Sequence, residues 1–367
     1  MKFLFAGDLN ISSTMPTIDE HLKAECSNSD VVCVNLEGAI CFDHPPSEKA
    51  GPNLSQSASI RDFLGLCEVN LLNTANNHIL DFGSEAAERT VSYLGISHVG
   101  HRFRSDDWVQ WFTDEFGQKI AVISGSESFE GSVDRLDQTG FLRLQSESFR
   151  TLVADASSTA DFLFVVAHCG LEDVALPLPE WRETYHDLVH LGASVIIGHH
   201  PHVVQPVELY QGSMIFYSLG NFFMPPEYGG TDSSGLMVKI ETIGGGLLSA
   251  DQYSITNSEH IQITESHPVI DNFPEQNLYA AAISSECRKI TENSLLPGIS
   301  DVVNGVGHQP NLRSLQQVFS SMLARKYVRT NPEVLLSRYR YLEHLFRVES
   351  NRWCIERGLQ EMLCADS

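Results

Sequence analysis

Ala193-Ser194-Val195-Ile196-Ile197-Gly198-His199-His200-Pro201-His202 is a short apolar run that ends in three histidines. A β-branched run that ends in imidazoles is typical of a buried strand that presents polar groups at its carboxyl end. Pro201 fixes the chain between His200 and His202, so both rings can face one centre. Imidazole suits zinc, iron and other transition metals, and a polar surface loop is the alternative interpretation.

The composition is that of an acidic globular protein. The chain has 367 residues, of which 42% are hydrophobic and 19% are charged, and its formal net charge is −23. This length exceeds the usual size of one core, so we expect either one large α/β domain with an appendage or two domains. The negative charge argues against a nucleic-acid partner and against docking on an anionic membrane surface.

The cysteines and the N-terminal residues indicate a reducing compartment. The chain has eight cysteines and no C-x-x-C pair, which is typical of free thiols in a chain of this length. We expect Cys33 and Cys169 to be small core residues within strands. The first apolar run ends at Asp8, too early for a signal peptide, and no later run is long enough for a membrane span. These features predict a cytoplasmic protein.

Predicted strands and helices alternate along the first two thirds of the chain. Short, mostly apolar runs predict strands at residues 2–8, 31–37, 119–124, 162–167, 193–197 and 213–217, and the run at 31–37 is of the buried, parallel-sheet type. Residues 70–75 lead into the polar motif Asn76-Asn77-His78. Helical spacing predicts helices at 18–26, 59–67, 84–94 and 180–191, with Ser84 as an N-cap and Gly192 as a stop signal. Residues 42–58 predict a loop over the strand ends, and residues 236–264 predict antiparallel strands.

The character of the sequence changes near residue 265. We expect residues 266–310 to be rich in loops, with a short helical piece around 281–292. Further helices are predicted near 311–328, 332–348 and 350–363. We therefore expect an α/β domain of residues 1–265 and a mostly helical C-terminal extension of residues 266–367. The helices of this extension offer a surface for a partner protein.

Polar side chains follow five of the predicted strands, and they are Asp8, Glu37, Asn77 with His78, His168, and His200 with His202. In an open α/β sheet, ligands bind at the carboxyl ends of the strands. A single residue of this kind is more often a helix cap or a structural histidine. Carboxylates, an amide and imidazoles together suit one or two divalent ions. Two ions about 3.5–4 Å apart would clamp the oxygens of a transferred phosphoryl group.

The order of these motifs resembles the calcineurin-like metallophosphoesterase superfamily, and more closely the CapA family. The CapA family is named for the synthesis of bacterial poly-γ-glutamate capsules. The resemblance covers about residues 2–225. Its motifs are Asn35-Leu36-Glu37, Ala75-Asn76-Asn77-His78 with Asp81 and Gly83, His168-x-Gly170, Gly198-His199-His200-Pro201-His202-Val203 with Gln205 and Glu208, and Tyr217-Ser218-Leu219-Gly220-Asn221-Phe222.

The resemblance implies a fold and a set of metal ligands. The implied fold is α/β, a four-layer αββα sandwich of the metallophosphoesterase type, with the C-terminal helices as an appendage. The implied ligands are Asp8 and His202 for a first ion, Glu37 as a bridge, and Asn77, His168 and His200 for a second ion. The implied cofactor is one or two ions of manganese, iron, zinc or calcium.

The same resemblance implies which residues carry out catalysis. The candidates are His78, Glu37 and His168. His78 would lie beside the ions, where a cationic imidazole can protonate a leaving oxygen or stabilise a developing oxyanion.

Other polar residues are expected near the ions or the substrate, and they are Asn10, Asn35, Asn76, Glu172, His199 and Asn221. The superfamily's first motif is usually Gly-Asp-x-His, and Asn10 stands at its histidine position. The first ion site would therefore be weak, oxygen-rich or empty. Spacing does not decide whether His199 or His200 is the ligand, and we interpret His199 as a residue that supports the ligands. Glu172 could contact either the substrate or a metal ion.

Three functions are compatible with these features. The leading hypothesis is a metal-dependent hydrolase of phosphate esters, or of a phosphorylated intermediate in polymer or peptide biosynthesis. The second is a peptide-tailoring enzyme, a Cα epimerase, that uses Glu37, His78 and His168 as acids and bases. The third is a non-catalytic subunit of a poly-γ-glutamate synthesis complex that binds polymer or peptide. The third is disfavoured because buried charged groups are costly to retain without a use.

Overall fold

The computed structural model describes residues 1–49, 51–103, 108–225, 234–291 and 348–365. The helices in these ranges are α1 (Glu20–Ser27), α2 (Ile60–Leu66), α3 (Gly83–Leu94), α4 (Glu147–Thr159), α5 (Pro179–His190), α6 (Gln276–Ile290) and α7 (Glu349–Ala365). The strands are β1 (Lys2–Leu9), β2 (Thr17–Ile18), β3 (Val31–Leu36), β4 (Ala39–Ile40), β5 (Ser55–Gln56), β6 (Leu71–Asn73), β7 (Ser97–Val99), β8 (Val109–Thr113), β9 (Lys119–Ser126), β10 (Ser132–Val133), β11 (Phe141–Leu142), β12 (Phe162–His168), β13 (Val195–His199), β14 (Val207–Tyr210), β15 (Ser213–Phe216), β16 (Asn221–Phe223), β17 (Ser234–Ile243), β18 (Gly246–Asn257) and β19 (His260–Pro268).

The first sheet has nine strands in the order β2-β19-β18-β17-β1-β3-β6-β7, and β16 pairs with the end of β1. Strands β1, β3, β6 and β7 are parallel, whereas β17, β18 and β19 are antiparallel. The antiparallel strands predicted for residues 236–264 are confirmed. The last of them continues to Pro268, so the loop predicted to begin at residue 266 starts later. The pairing of β19 with β18 extends that strand beyond its apolar residues.

The second sheet has six strands in the order β14-β15-β13-β12-β9-β8. Its four central strands β15, β13, β12 and β9 are parallel, and the two edge strands are antiparallel to their neighbours. The register pairs His168 at the end of β12 with His199 at the end of β13. The parallel arrangement therefore brings the polar ends of several strands to one edge.

The two sheets pack face to face around a shared apolar core. The rings of Phe3 and Phe5 on β1 lie 4.8 and 5.0 Å from the ring of Phe164 on β12. Leu4 and Val32, which point to the opposite face of the first sheet, are also buried. Burial on both faces is expected where helices cover a parallel sheet. In the second sheet, α4 packs against β9 and β12. The structure confirms the predicted α/β sandwich.

Local signals explain how some of the helices begin, with one correction. Ser146 caps α4, since its hydroxyl accepts a hydrogen bond from the backbone N–H of Phe149. Ser84 is not the N-cap of α3 as predicted. That helix begins at Gly83, and Phe82 occupies the cap position without a side-chain hydrogen bond. Gly83 has φ +83°, a conformation that glycine adopts without strain, so the preceding turn determines where the helix starts.

The predicted cysteine environments are only partly correct. Cys33 lies within β3, and Cys169 lies one residue beyond the end of β12. Both side chains are buried. Across the part of the chain that the structure describes, seven cysteines are free thiols.

The chain divides into two compact units. The first comprises Met1–Ser47 and Pro52–Phe273, and the second comprises Glu48–Gly51 and Pro274–Ser367. In the second unit, α6 and α7 pack together. Gly358 lies so close to Thr291 that a Cβ at position 358 would meet the hydroxyl oxygen of Thr291 at 2.1 Å. Our division into residues 1–265 and 266–367 stays a proposal.

The helix predictions for the C-terminal extension have mixed outcomes. The piece predicted around 281–292 begins earlier, because α6 starts at Gln276. The prediction near 350–363 corresponds to α7. The helices predicted near 311–328 and 332–348 fall outside the described residues, apart from residue 348. None of the helices that the structure describes is long and apolar enough to cross a bilayer.

Candidate metal centre

The strand ends bring two groups of potential metal ligands together. The first group is Asp8, Glu37 and His202, and the second is Glu172, His200 and His202. Within each group the candidate ligand atoms lie within 4.8 Å of one another. All of these residues except Glu172 are buried. The convergence follows from topology, because β1, β3 and β13 end at the same edge of the sandwich.

Asp8, in β1, is fully buried and surrounded by donors. Its Oδ1 accepts a 2.7 Å hydrogen bond from Nδ2 of Asn35, and its Oδ2 accepts a 3.2 Å hydrogen bond from the backbone N–H of His200. Nδ1 of His199 lies 3.1 Å from Oδ1. Burial alone would raise the pKa of Asp8, but contact with His199 and the charges of His202 and His168 hold it well below its usual range. Asp8 is therefore an ionised carboxylate.

Glu37, directly after β3, has a different environment. Its side chain is fully buried, and neither carboxylate oxygen accepts a hydrogen bond from the residues that the structure describes. The nearest ion-pair partner is His202, whose Nε2 lies 3.6 Å from Oε1. Burial and the charge of Asp8 raise the pKa of Glu37 well above its usual range. A buried acceptor without a donor is costly, so this position favours a bound cation.

His202 is oriented by an amide on the opposite side of its ring. Its Nδ1 donates a 2.8 Å hydrogen bond to Oδ1 of Asn221, which lies in β16 beside the end of β1. A proton on Nδ1 leaves Nε2, on the side of Glu37, free to bind a metal. Burial would lower the pKa of His202, but the carboxylates of Glu37 and Asp8 raise it to about 9. The imidazole is cationic beside the carboxylates until a metal ion replaces its proton.

His168, Asn77 and His200 form the other side of the cluster. Nε2 of His168 lies 2.8 Å from Oδ1 of Asn77, and the rings of His168 and His200 are 4.8 Å apart. Burial and the neighbouring His200 hold the pKa of His168 well below its usual range. A neutral imidazole is the form that binds metals. His200 belongs to the second ligand group, whereas His168 belongs to neither group, so the assignment of Asn77 and His168 to a second ion stays a prediction.

The loop that carries His200 and His202 has an unusual backbone. His200 has φ +97° and His202 has φ +59°, which non-glycine residues seldom adopt. The end of β13, from which the loop leaves, packs against the turn after β15. Gly198 lies so close to Tyr217 that a Cβ at position 198 would meet the carbonyl oxygen of Tyr217 at 2.0 Å. Strained residues of this kind cluster at functional sites.

His78 lies outside both ligand groups and is held by Asp81. Its Nδ1 donates a 2.7 Å hydrogen bond to Oδ2 of Asp81. The same Oδ2 accepts a 2.6 Å hydrogen bond from the backbone N–H of Leu54. Leu54 belongs to the loop predicted to cover the strand ends. Asp81 thus links that loop to His78 and fixes the imidazole with its proton on Nδ1.

Amide side chains bind Asp8 and the main chain at Glu37 through hydrogen bonds. Asn35 Oδ1 accepts hydrogen bonds from Nδ2 of Asn73 (2.9 Å) and of Asn76 (3.1 Å) while its own amide binds Asp8. Nδ2 of Asn10 donates to the backbone carbonyl of Glu37 at 2.8 Å. Asn10 therefore points its amide nitrogen at the main chain, and its buried Oδ1 accepts no hydrogen bond among the described residues.

Three residues near the centre had no predicted role. Asp81 stands three residues after His78, a spacing that suits a partner on the same turn. Asn73 ends β6 and supports Asn35, and its position at a strand end was the available signal. Phe129 packs its ring 5.0 Å from that of His200 and 6.0 Å from that of His168. Its contact is tertiary, so no local pattern indicates it.

The chemistry of these donors fits a divalent ion. Borderline ions accept such ligands: the buried carboxylate oxygens of Glu37 without hydrogen bonds from the described residues, the ionised Asp8, and Nε2 of His202 once an ion replaces its proton. The mixture of oxygen and nitrogen ligands does not select among manganese, iron, zinc and calcium.

The fold and the cluster together define the class of this protein. It is an α/β sandwich with a candidate divalent-metal centre at the carboxyl ends of its strands. Residues 5–225 match the family described as "Bacterial capsule synthesis protein PGA_cap", and the chain belongs to that family. The resemblance to the CapA family is thereby confirmed.

Two relatives and one solved structure are similar to this chain. "PGA biosynthesis protein CapA" of Bacillus subtilis (strain 168) is 28% identical over 250 residues, which are 64% of this chain and 66% of the relative. "Capsule biosynthesis protein CapA" of Bacillus anthracis is 28% identical over 233 residues, which are 59% of this chain and 56% of the relative. The chain thus spans less than two thirds of either relative. A hypothetical protein from Thermus thermophilus aligns with 15% identity and a TM-score of 0.44, covering 70% of this chain and 100% of that chain.

Proposed function

We propose that this chain is a metal-dependent hydrolase that acts on phosphate esters or on a phosphorylated intermediate in the synthesis of a polymer or peptide. The buried carboxylate of Glu37, which accepts no hydrogen bond from the described residues, carries this proposal. Such a group is stabilised by a cation, and Asp8 and His202 provide ligand atoms within 4.8 Å of it. The names of the Bacillus relatives support a role in the synthesis of a capsule polymer.

In this proposal each residue has a defined task. Asp8, Glu37 and His202 would hold one ion, and Asn77, His168 and His200 would hold another. When bound, divalent ions supply positive charge for the oxygens of a phosphoryl group. His78, fixed by Asp81, presents its Nε2 for proton transfer to the leaving oxygen.

The proposal extends to surroundings and partners. The free thiols of the described residues support a cytoplasmic location. We further propose that a partner protein binds the C-terminal helices.

Metal content and hydrolysis test this function together. The protein is purified without chelator and without a histidine tag, and its metal content is measured by elemental mass spectrometry. We expect about two equivalents of a divalent ion and hydrolysis of p-nitrophenyl phosphate. In His200→Ala the metal content should fall and hydrolysis should be lost. Treatment with EDTA should abolish hydrolysis, and manganese should restore it. Absence of metal after loading with manganese, iron, zinc or calcium would contradict the proposal and leave acid/base chemistry or a non-catalytic binding subunit.

One observation favours epimerisation at Cα as a second candidate. Three carboxylates, those of Glu37, Asp8 and Glu172, surround His202 closely enough for their charges to raise its pKa. A phosphate ester therefore meets mostly negative charge unless ions are bound, whereas a peptide backbone carries no such charge. Incubation of peptides in deuterated water with the protein tests this candidate by mass spectrometry. Deuterium at Cα would support it, and its absence with every peptide tried would count against it.

A further inference from the structure

Glu172 is held at a fixed place beside the histidine loop. The backbone N–H of Cys169 donates to the carbonyl of His199 at 3.1 Å, and that of Asp173 donates to the carbonyl of Pro201 at 2.9 Å. These bonds flank Glu172 on both sides and tie its segment to the loop that carries His200 and His202. The position of Glu172 relative to these two histidines is therefore determined by the main chain.

The carboxylate of Glu172 is free to bind a ligand. A carboxylate oxygen lies within 4.8 Å of ring nitrogens of His200 and His202, and its charge raises the pKa of both Glu37 and His202. It accepts no hydrogen bond from the residues that the structure describes, and it is the exposed member of its group. An acceptor without a donor, held beside two imidazoles, has the geometry of a metal ligand on the solvent side.

The number of available ring nitrogens on His202 determines which of the two groups of candidate ligands it can serve. His202 belongs to both groups, but its Nδ1 donates to Asn221, so only Nε2 can bind an ion. One nitrogen binds one ion. Since Nε2 lies 3.6 Å from Oε1 of Glu37, His202 serves the group of Asp8 and Glu37. Glu172 and His200 then remain for a second position.

We propose that Glu172 is the solvent-side ligand of a second divalent ion, which it holds together with His200. This inference rests on the proposed metal-dependent function and adds a ligand that the motifs do not assign. Because Glu172 is the exposed member of its group, this ion would lie nearer to solvent than one held by the buried Asp8 and Glu37.

Manganese binding to Glu172→Gln and to a neighbouring control distinguishes this ligand from an ordinary surface acid. Asp173→Asn removes the same charge one residue away. Asparagine also tolerates the left-handed backbone of that position, where φ is +60°. The full chain, freed of metal, is titrated with manganese by calorimetry, and bound manganese is counted by elemental mass spectrometry. Circular dichroism and metal-free melting temperatures confirm that the variants fold.

We expect wild type and Asp173→Asn to bind two equivalents with equal affinities. Glu172→Gln should keep one equivalent at the affinity of wild type and bind the other at least tenfold more weakly. Glu172→Asp, which retains the carboxylate on a shorter side chain, should give an intermediate value. The electron paramagnetic resonance signal of coupled manganese should be present in wild type and lost in Glu172→Gln.

The remaining outcomes separate this inference from the proposed function. Two unchanged equivalents in Glu172→Gln would overturn the assignment of Glu172, as would equal weakening of both. One equivalent in wild type would overturn the second position and leave a centre with a single ion. No manganese in wild type would contradict the proposed function itself.

Discussion

Two buried glutamates in this molecule have opposite environments. Glu208, in β14, accepts hydrogen bonds from Arg182, from Nε2 of His186 at 3.0 Å and from the hydroxyl of Tyr217 at 2.6 Å. We call these four residues the Glu208 cluster. Glu37 is buried to a similar extent, yet its carboxylate accepts no hydrogen bond from the described residues. Side chains of the protein compensate the charge of Glu208, whereas the carboxylate of Glu37 is available to a cation.

The pKa shifts of the two carboxyl groups express the same contrast. Burial would raise the pKa of Glu208, but hydrogen bonds from His186, Arg182 and Tyr217 lower it to about 2. Burial and Asp8 raise the pKa of Glu37 well above its usual range. A satisfied buried carboxylate contributes to stability, whereas an unsatisfied one reduces stability until a ligand binds. Substitutions at the two positions should therefore have opposite effects on the metal-free protein.

The largest effect is expected from Glu208→Ala. This change leaves Arg182 and His186 without their shared acceptor, and breaking such a partly buried pair costs about 2–3 kcal/mol of unfolding free energy. Urea unfolding followed by circular dichroism measures the difference. Manganese binding per folded molecule should not change, because the Glu208 cluster lies outside the ligand groups.

Glu265→Ala is a suitable control, since Glu265 is an exposed residue of β19. It should change the unfolding free energy by less than about 0.5 kcal/mol. A loss below about 1 kcal/mol in Glu208→Ala would contradict a structural role for the cluster.

The pH dependence of Glu208→Gln sharpens this comparison. A carboxyl group with a lowered folded-state pKa contributes stability above its unfolded value and loses that contribution as the pH falls. For Glu208 the interval runs from the ordinary value of 4.5 down to about 2. The stability advantage of wild type over Glu208→Gln should thus be constant above about pH 5 and shrink towards pH 2. Urea unfolding at a series of pH values measures it, and a constant advantage down to pH 2 would show that the ionised form contributes nothing.

The sequence predicts the fold where burial alone selects the structure. Phe162 to Ala167 and Val195 to Ile197 are apolar without interruption, so they form central strands in any arrangement that covers both faces. The extension of β19 to Pro268 depends instead on pairing with β18, and the start of α3 depends on the turn at Gly83. Such contacts are made by the tertiary structure, so no local pattern reports them.

Only part of the candidate site can be predicted from the sequence, as is true of the fold. Side chains at strand ends must meet at one edge, and this rule brings Asp8, Glu37 and His202 together from sequence alone. The loop that carries His200 and His202 has positive φ angles and packs against the turn after β15, which no local pattern indicates. The approach of Glu172 to His200 depends on hydrogen bonds between two loops, which spacing does not encode.

Glu37→Gln tests the other side of the comparison. Removing the charge should lower manganese affinity about a hundredfold, because Glu37 is a fully buried candidate ligand whose carboxylate accepts no hydrogen bond from the described residues. The metal-free variant should be at least as stable as wild type, and by about 1 kcal/mol more stable, because glutamine lacks the ionisable group whose pKa burial and Asp8 raise. Calorimetric titration and urea unfolding without metal measure the two effects. Destabilisation by more than about 1 kcal/mol would place Glu37 with Glu208 as a structural residue.

The smallest effect is expected from Asn221, which supports a ligand without being one. Asn221→Leu removes the acceptor for Nδ1 of His202, so the ring loses the bond that keeps Nε2 on the side of Glu37. Loss of such a supporting bond lowers metal affinity about tenfold. Asn221→Asp keeps an acceptor at the same place and should retain the affinity of wild type. Equal weakening in both variants would assign Asn221 to the packing of β16 against β1, whereas rescue by aspartate alone would assign it to the orientation of His202.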